Sequence, residues 1–590
     1  MDREWPPIKH EDDHWGHVEV DTSQANSEGQ VNQAIDNAPQ PTAPPPSPVS
    51  DDGDIPKGLT FALIMVSFWS CIFMVSLDRT IVATTIPTIT DEFHSSDDVL
   101  WYSGAYLMAS CATQLLWGRV CTFYKLRYLT VVAAALFIIG SAICGSAPNS
   151  LALIIGRAVA GMGQAAIFTC STVIIVLIVP LRKRPLYASI STMLLGIASI
   201  LGPLIGLAIA ALIVLLRIDP PIREKLSVWS QIRRMDPPGQ LCLLTSVICL
   251  LLALQWGGVK YGWSSGRIIA LFVLSGVLIL AFWIIQALQK TNATINLSII
   301  GQRSVAASTV FATFIGGTNI VMTYWLAIWF QVVKGTTALG SGIHTLPLVI
   351  SYTLLSMSCG VVVTRSGYYQ PPMYLSSVLV PVGTGLMTTF VSATPSAKWI
   401  GYQIIVGCGL GIGTPLATVA VQNSLAKADT PVGITLVLFA QSMGGAVLNA
   451  IAQALYDERL QSGLEAIPGI DPIELVTSGA TNFRQTVPPG ILHKVLSVYS
   501  VALKGPFYVA VVACAMMIIP ALVVEWKKLP PKPEAMRNPP TNNRQRSPAE
   551  SEEHILPVSS AAPSLALPDY EPFAIELESE TRTLEHSGPI

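Results

Sequence analysis

Apolar runs long enough to cross a bilayer recur through the middle of this chain, and they limit its fold more than any other feature. A membrane-spanning helix needs about 20 predominantly apolar residues. Runs of that kind lie near 59–82, 99–118, 128–147, 151–179, 186–216, 239–256, 268–288, 305–330, 343–363, 372–391, 398–422, 431–455 and 506–525. Hydrocarbon offers backbone amides no partner, so each run is expected to be an α-helix. Composition agrees. Only 12% of the 590 residues are charged and 51% are hydrophobic, against about 25% charged in a soluble globular domain. The expected class is an all-α, multi-pass membrane protein embedded in a lipid bilayer.

The same numbers exclude other classes. A formal net charge of −2 gives no bulk attraction for nucleic acid. Ten cysteines fall almost entirely inside apolar runs and form no C-x-x-C pair, which reads as small buried side chains, with no disulfide framework and no metal site. His10, His14 and His17 lie in a polar tail, where metal binding has little support. There is no G-x-x-x-x-G-K-[S/T] phosphate loop and no hydrolytic constellation, so neither ATP-driven pumping nor enzymatic activity is expected, and no cofactor. Gly407-Cys408-Gly409-Leu410-Gly411-Ile412-Gly413 superficially resembles a dinucleotide loop. Inside an apolar run it reads as a helix-packing surface.

Segments 1–57 and 526–590 are rich in Pro, Ser and charged residues and are expected to be disordered tails on the cytoplasmic side. Orientation follows from Lys and Arg. Arg119, Lys125 and Arg127, then Arg182, Lys183 and Arg184, then the 217–238 loop all read as cytoplasmic. Acidic 91–98 and the long amphipathic stretch 456–505 read as outward loops. The organisation is therefore an N-terminal bundle over 58–216, a linking helix pair over 239–288, and a C-terminal bundle over 289–525. One run conflicts with this scheme. Both loops flanking 186–216 carry the inside signature, yet two crossings need about 40 residues. A single helix of that length would run roughly 46 Å at 1.5 Å per residue.

Charges inside membrane helices are costly and functional by default. Asp78, in Ser76-Leu77-Asp78-Arg79-Thr80, is a candidate proton carrier, because a carboxylate in a low-dielectric cavity takes up a proton more readily. The alternative is a fixed pair with Arg79 or with another helix. Arg157 is a permanent cation, suited to partner a carboxylate or an anionic solute. The alternative is snorkelling to the interface. Gly161 and Gly163 beside it favour close helix packing. Tyr324, Trp325, Trp329 and Gln331 fit either a cavity wall or, more often, an interfacial belt.

Together these residues resemble the major facilitator superfamily, and within it the fourteen-span drug:proton antiporter branch of filamentous fungi. Leu77-Asp78-Arg79-Thr80-Ile81-Val82 with Pro87 looks like that branch's first-helix motif. Gly118, Arg119 and Lys125 fall in a divergent form of the loop between helices two and three. Arg157 with Gly161 and Gly163 is similar to the fourth-helix motif. Gly196, Gly202, Pro203 and Gly206 are similar to the fifth-helix antiporter motif. The resemblance implies two six-helix bundles plus two extra helices, with one helix pair shortened near 207–216 where about twenty residues are missing. It also implies a monomer in the plasma membrane that exports small amphipathic organic compounds (metabolites, toxins or drugs) against proton flow. In that scheme Asp78 and Arg157 handle the proton, Gly118, Arg119 and Lys125 latch the cytoplasmic side, and the antiporter motif seals the cavity. Uptake of a nutrient or iron chelate, or a non-transporting sensor or defective splice product, are the alternatives.

Overall fold

A computed structural model describes residues 58–93, 99–201, 235–258, 261–289, 293–426, 429–468 and 489–530. Its helices are α1 (Leu59–Phe93), α2 (Val99–Phe123), α3 (Leu126–Gly145), α4 (Ser150–Ile178), α5 (Arg184–Leu201), α6 (Pro237–Trp256), α7 (Gly266–Gln289), α8 (Leu297–Ile300), α9 (Arg303–Val332), α10 (Ala338–His344), α11 (Leu346–Ser366), α12 (Gln370–Met387), α13 (Ser396–Ser424), α14 (Thr430–Glu465), α15 (Pro489–Ala502), α16 (Lys504–Ala515) and α17 (Ile518–Val523). No strand occurs among the described residues. Ten segments are long and apolar enough to cross a membrane, the last taken as Ile491–Val523. Helices α2, α5 and α12 carry the remaining apolar runs.

The packing divides into two groups of helices and a pair. In the first group α4 packs on α2 and α3, and α1 packs on α5; in the second, α9 packs on α14, and α13 on α11 and α12. The linking pair α6–α7 packs on itself and, through α6, on α2. The groups meet where α5 lies on α11 and α2 on α14. Helix α7 presents Ile269, Val273, Val277, Leu280, Ile284 and Leu288 outward. Their spacing of three or four residues makes one apolar stripe. Lipid accommodates that stripe, whereas each such side chain left in water forgoes about 1.5–3 kcal/mol of burial.

Close approach explains the glycines. A Cβ at Gly163 of α4 would stand 2.5 Å from the Phe137 backbone nitrogen of α3. At Gly444 of α14 it would collide with the Thr313 carbonyl oxygen of α9. Gly407 and Gly411 face the α11 backbone, while Gly409 faces α12. The glycine-rich stretch of α13 is thus a two-sided packing surface. All ten cysteines are free.

Four features differ from the sequence reading. Helix α1 continues to Phe93 rather than ending near 82. Residues 456–465, read as part of an outward loop, extend α14, and 489–502 form α15. The reason is a continued stripe: Tyr456, Leu460 and Leu464 are buried at four-residue intervals, and Val495 and Tyr499 of α15 are buried in the same core. At 36 residues, α14 is about 54 Å long, well beyond the roughly 30 Å of hydrocarbon. Third, Trp325 and Trp329, read more readily as an interfacial belt, are both only 1% exposed. Helix α5 includes Gly196, but Gly202, Pro203, Gly206, the stretch near 207–216, the 217–234 part of the cytoplasmic loop, the 1–57 tail and residues 531–590 lie outside the described residues; residues 526–530, read as the start of the disordered C-terminal tail, instead pack on the second group, where Leu529 N donates to the Gly367 carbonyl.

Candidate functional site

Asp78 lies on α1 and Arg157 on α4, separate in sequence by 79 positions. The fold brings them together with Arg157 Nη1 at 2.6 Å from Asp78 Oδ2. Arg157 is 3% exposed and Asp78 16%. Helix α2 completes the setting. Arg157 Nε donates to the Tyr102 carbonyl at 2.9 Å, and its guanidinium sits 4.1 Å from the centroid of the Tyr106 ring. One turn further along α4, Gly161 lies so close to the Tyr106 carbonyl that no side chain fits. Arg157 is therefore not snorkelling. Its fork is divided between a carboxylate, a backbone carbonyl and an aromatic face, an arrangement its rigid planar geometry suits.

The arrangement is asymmetric. The cation is enclosed, and the carboxylate is partly open. Anything that takes Asp78, whether a proton or a donor group of a solute, must compete with a charge-assisted hydrogen bond. Releasing the pair leaves a buried guanidinium short of one partner, which is costly in a low-dielectric setting.

The other sequence candidates are dispersed. Gly118 lies at the crossing of α2 and α14, where a Cβ would stand 2.5 Å from Thr435 Oγ1. The Arg119 guanidinium sits 5.8 Å from the Phe123 ring centroid on its own helix. Lys125 is exposed at the start of α3. Gly118 is thus seen at a contact between the groups.

Two carboxylates escaped the sequence reading. Asp236 is fully buried, with φ 55°, and caps α6 by accepting from Gly239 N at 2.9 Å. It also accepts from Gln286 Nε2 at 2.6 Å, Gln289 Nε2 at 2.8 Å and Thr294 Oγ1 at 3.0 Å. The signal was the Asp236-Pro237-Pro238-Gly239 cap. Asp457 lies on α14 in line with Gln441, Gly445, Asn449 and Gln453, spaced by four on one helix face. Gln453 Nε2 bridges both Asp457 oxygens at 2.9 and 3.0 Å, and Asn449 accepts from Trp325 Nε1 at 3.1 Å. Nearby Tyr324 is 41% exposed, its ring edge-on to Trp325 at 5.4 Å between centroids. The stripe was legible as a pattern, but an apolar run judged to stop at 455 cut it off.

Two helix groups packed face to face, a linking pair and an embedded ion pair define a class: a polytopic membrane protein built like a secondary transporter. The Major Facilitator Superfamily model matches residues 68–216. The chain is 44% identical to the rubrofusarin-specific efflux pump aurT of Gibberella zeae, over 81% of this chain and 92% of that protein. It is 41% identical to the MFS-type transporter VdtG of Byssochlamys spectabilis, over 80% and 89% respectively. A crystal structure of a double-tryptophan mutant of XylE shares the fold at a TM-score of 0.50 and 13% identity, covering 80% of this chain and 96% of that one. The chain belongs to the major facilitator superfamily.

Proposed function

We propose that this protein exports small amphipathic organic compounds, fungal secondary metabolites or toxins among them, in exchange for protons. The observation that carries the reading is the Asp78–Arg157 pair at 2.6 Å, enclosed by α2 and partly open on the Asp78 side. Asp78 takes the proton, which weakens its hold on Arg157. Arg157 then keeps its bonds to α2 while α1 shifts, so the protonation state and the orientation of the helices change together. The relative named as a rubrofusarin-specific efflux pump supports outward transport and an aromatic solute. The protein works as a monomer in the plasma membrane and performs no chemistry on its solute. Gly202 and Pro203 help seal the cavity against leak.

Vesicles containing the full chain test this. With an imposed pH gradient, wild-type protein moves a fluorescent aromatic substrate, and a protonophore stops it. Asp78→Asn is expected to lose gradient-driven transport at least tenfold while still binding the substrate. Transport by Asp78→Asn at the wild-type rate across pH 5 to 8 would overturn the proposal.

A further inference from the structure

Arg182 lies in the connection between α4 and α5, in the first helix group, but its guanidinium is spent on the second. Nε donates to the Thr364 carbonyl at 3.1 Å and Nη2 to the Arg365 carbonyl at 2.8 Å. These belong to the last turn of α11, whose carbonyls lack intrahelical partners and carry the negative end of the helix dipole. Nη1 donates to the Pro530 carbonyl at 3.1 Å. Pro530 lies in the segment that follows α17 and runs back across the second group. Leu529 N donates to the Gly367 carbonyl at 2.8 Å, and Gln370 Nε2 donates to the Glu525 carbonyl at 2.6 Å. One side chain therefore joins the first group to both a helix end and this returning segment of the second.

Its own loop is braced for this. Arg184 Nε donates to the Val179 carbonyl at 2.9 Å and Nη2 to the Val176 carbonyl at 2.6 Å, which ties the turn to α4. Just beyond, α5 and α11 are in contact. Ser356 Oγ lies 3.5 Å from the Ser189 carbonyl, and a Cβ on Gly360 would strike Ser189. Lys183, by contrast, is exposed.

We infer that Arg182 is a positioning residue of the transport cycle, a clasp that fastens the two helix groups at the basic end of the bundle and must let go whenever the cavity opens to that side. Three donors on one planar fork make the contact specific. Lysine in its place offers a point charge that cannot hold three divergent carbonyls. The inference rests on the transport reading only for the idea that the groups part. Its test needs no substrate, so it fails or stands apart from proton coupling.

The full chain carrying Ser356→Cys reports opening between α5 and α11. A membrane-impermeant maleimide is applied from the basic side, and labelling of the α11 peptide that carries the introduced thiol is followed by mass spectrometry. Adding Arg182→Ala is expected to raise the labelling rate at least fivefold, Arg182→Lys to raise it less, and Lys183→Ala to leave it unchanged. Arg182→Gln, read only in the monodisperse fraction, guards against misfolding and is expected to follow Arg182→Ala. Unchanged labelling in Arg182→Ala and Arg182→Gln overturns the inference. So does an equal rise in Lys183→Ala, since loop charge rather than the carbonyl contacts would then control opening.

Discussion

At the Asp78–Arg157 contact, and again at Asp236, the protein holds charge away from water in two different ways. The Arg157 pair has one enclosed member and one accessible member, which suits a group that changes partners. Asp236 instead has four side-chain or cap donors around a carboxylate with no exposure. Hydrogen bonds to a charged group contribute about 1.5–3 kcal/mol each, and here they join α6, α7 and the segment before α8. Asp236→Ala is expected to lower the thermal midpoint of the purified protein on the order of 5 °C or more, with little effect on the substrate affinity of the folded fraction. A midpoint equal to wild type would show that these bonds add nothing. The sequence exposed Asp78 and Arg157 as two isolated costly charges. It could not show their pairing, because partner choice among several helices depends on how the helices rotate. Asp236 stayed hidden because it stands at a helix edge, where an acidic residue costs nothing to explain.

Among the elements, the thirteen apolar runs all reappear as helices, 186–216 as far as Leu201. Lipid forces backbone bonds to be satisfied within each segment, so hydropathy alone was a sufficient signal. Helix ends were less legible. Beyond the hydrocarbon, α14 continues because Tyr456, Leu460 and Leu464 pack in the protein core, and a hydropathy run does not record partners. Glycine substitutions separate packing from propensity. Gly444→Leu is expected to reduce the yield of monodisperse protein severely, since overpacking costs about 1–3 kcal/mol and here meets backbone. Gly276→Leu on α7, where nothing lies within 4 Å, is expected to match wild type in size-exclusion profile. Equal losses in both would mean that general helix propensity, not close approach, sets the outcome.

Taken whole, the molecule places an accessible carboxylate in one helix group and a polar, aromatic-flanked stripe in the other, with the groups joined through α5–α11, α2–α14 and Arg182. The two-group architecture was legible through family resemblance, while the Arg182 clasp was masked by its membership in an ordinary basic loop. Proton-coupled export as proposed requires Asp78 to change its proton as the groups rearrange. Infrared difference spectroscopy on the lipid-embedded full chain, recorded on substrate addition, reads this directly. A protonated-carboxyl band should change in wild type and be absent from the Asp78→Asn difference spectrum. The same band persisting in Asp78→Asn, or no carboxyl signal in an actively transporting wild type, would contradict it.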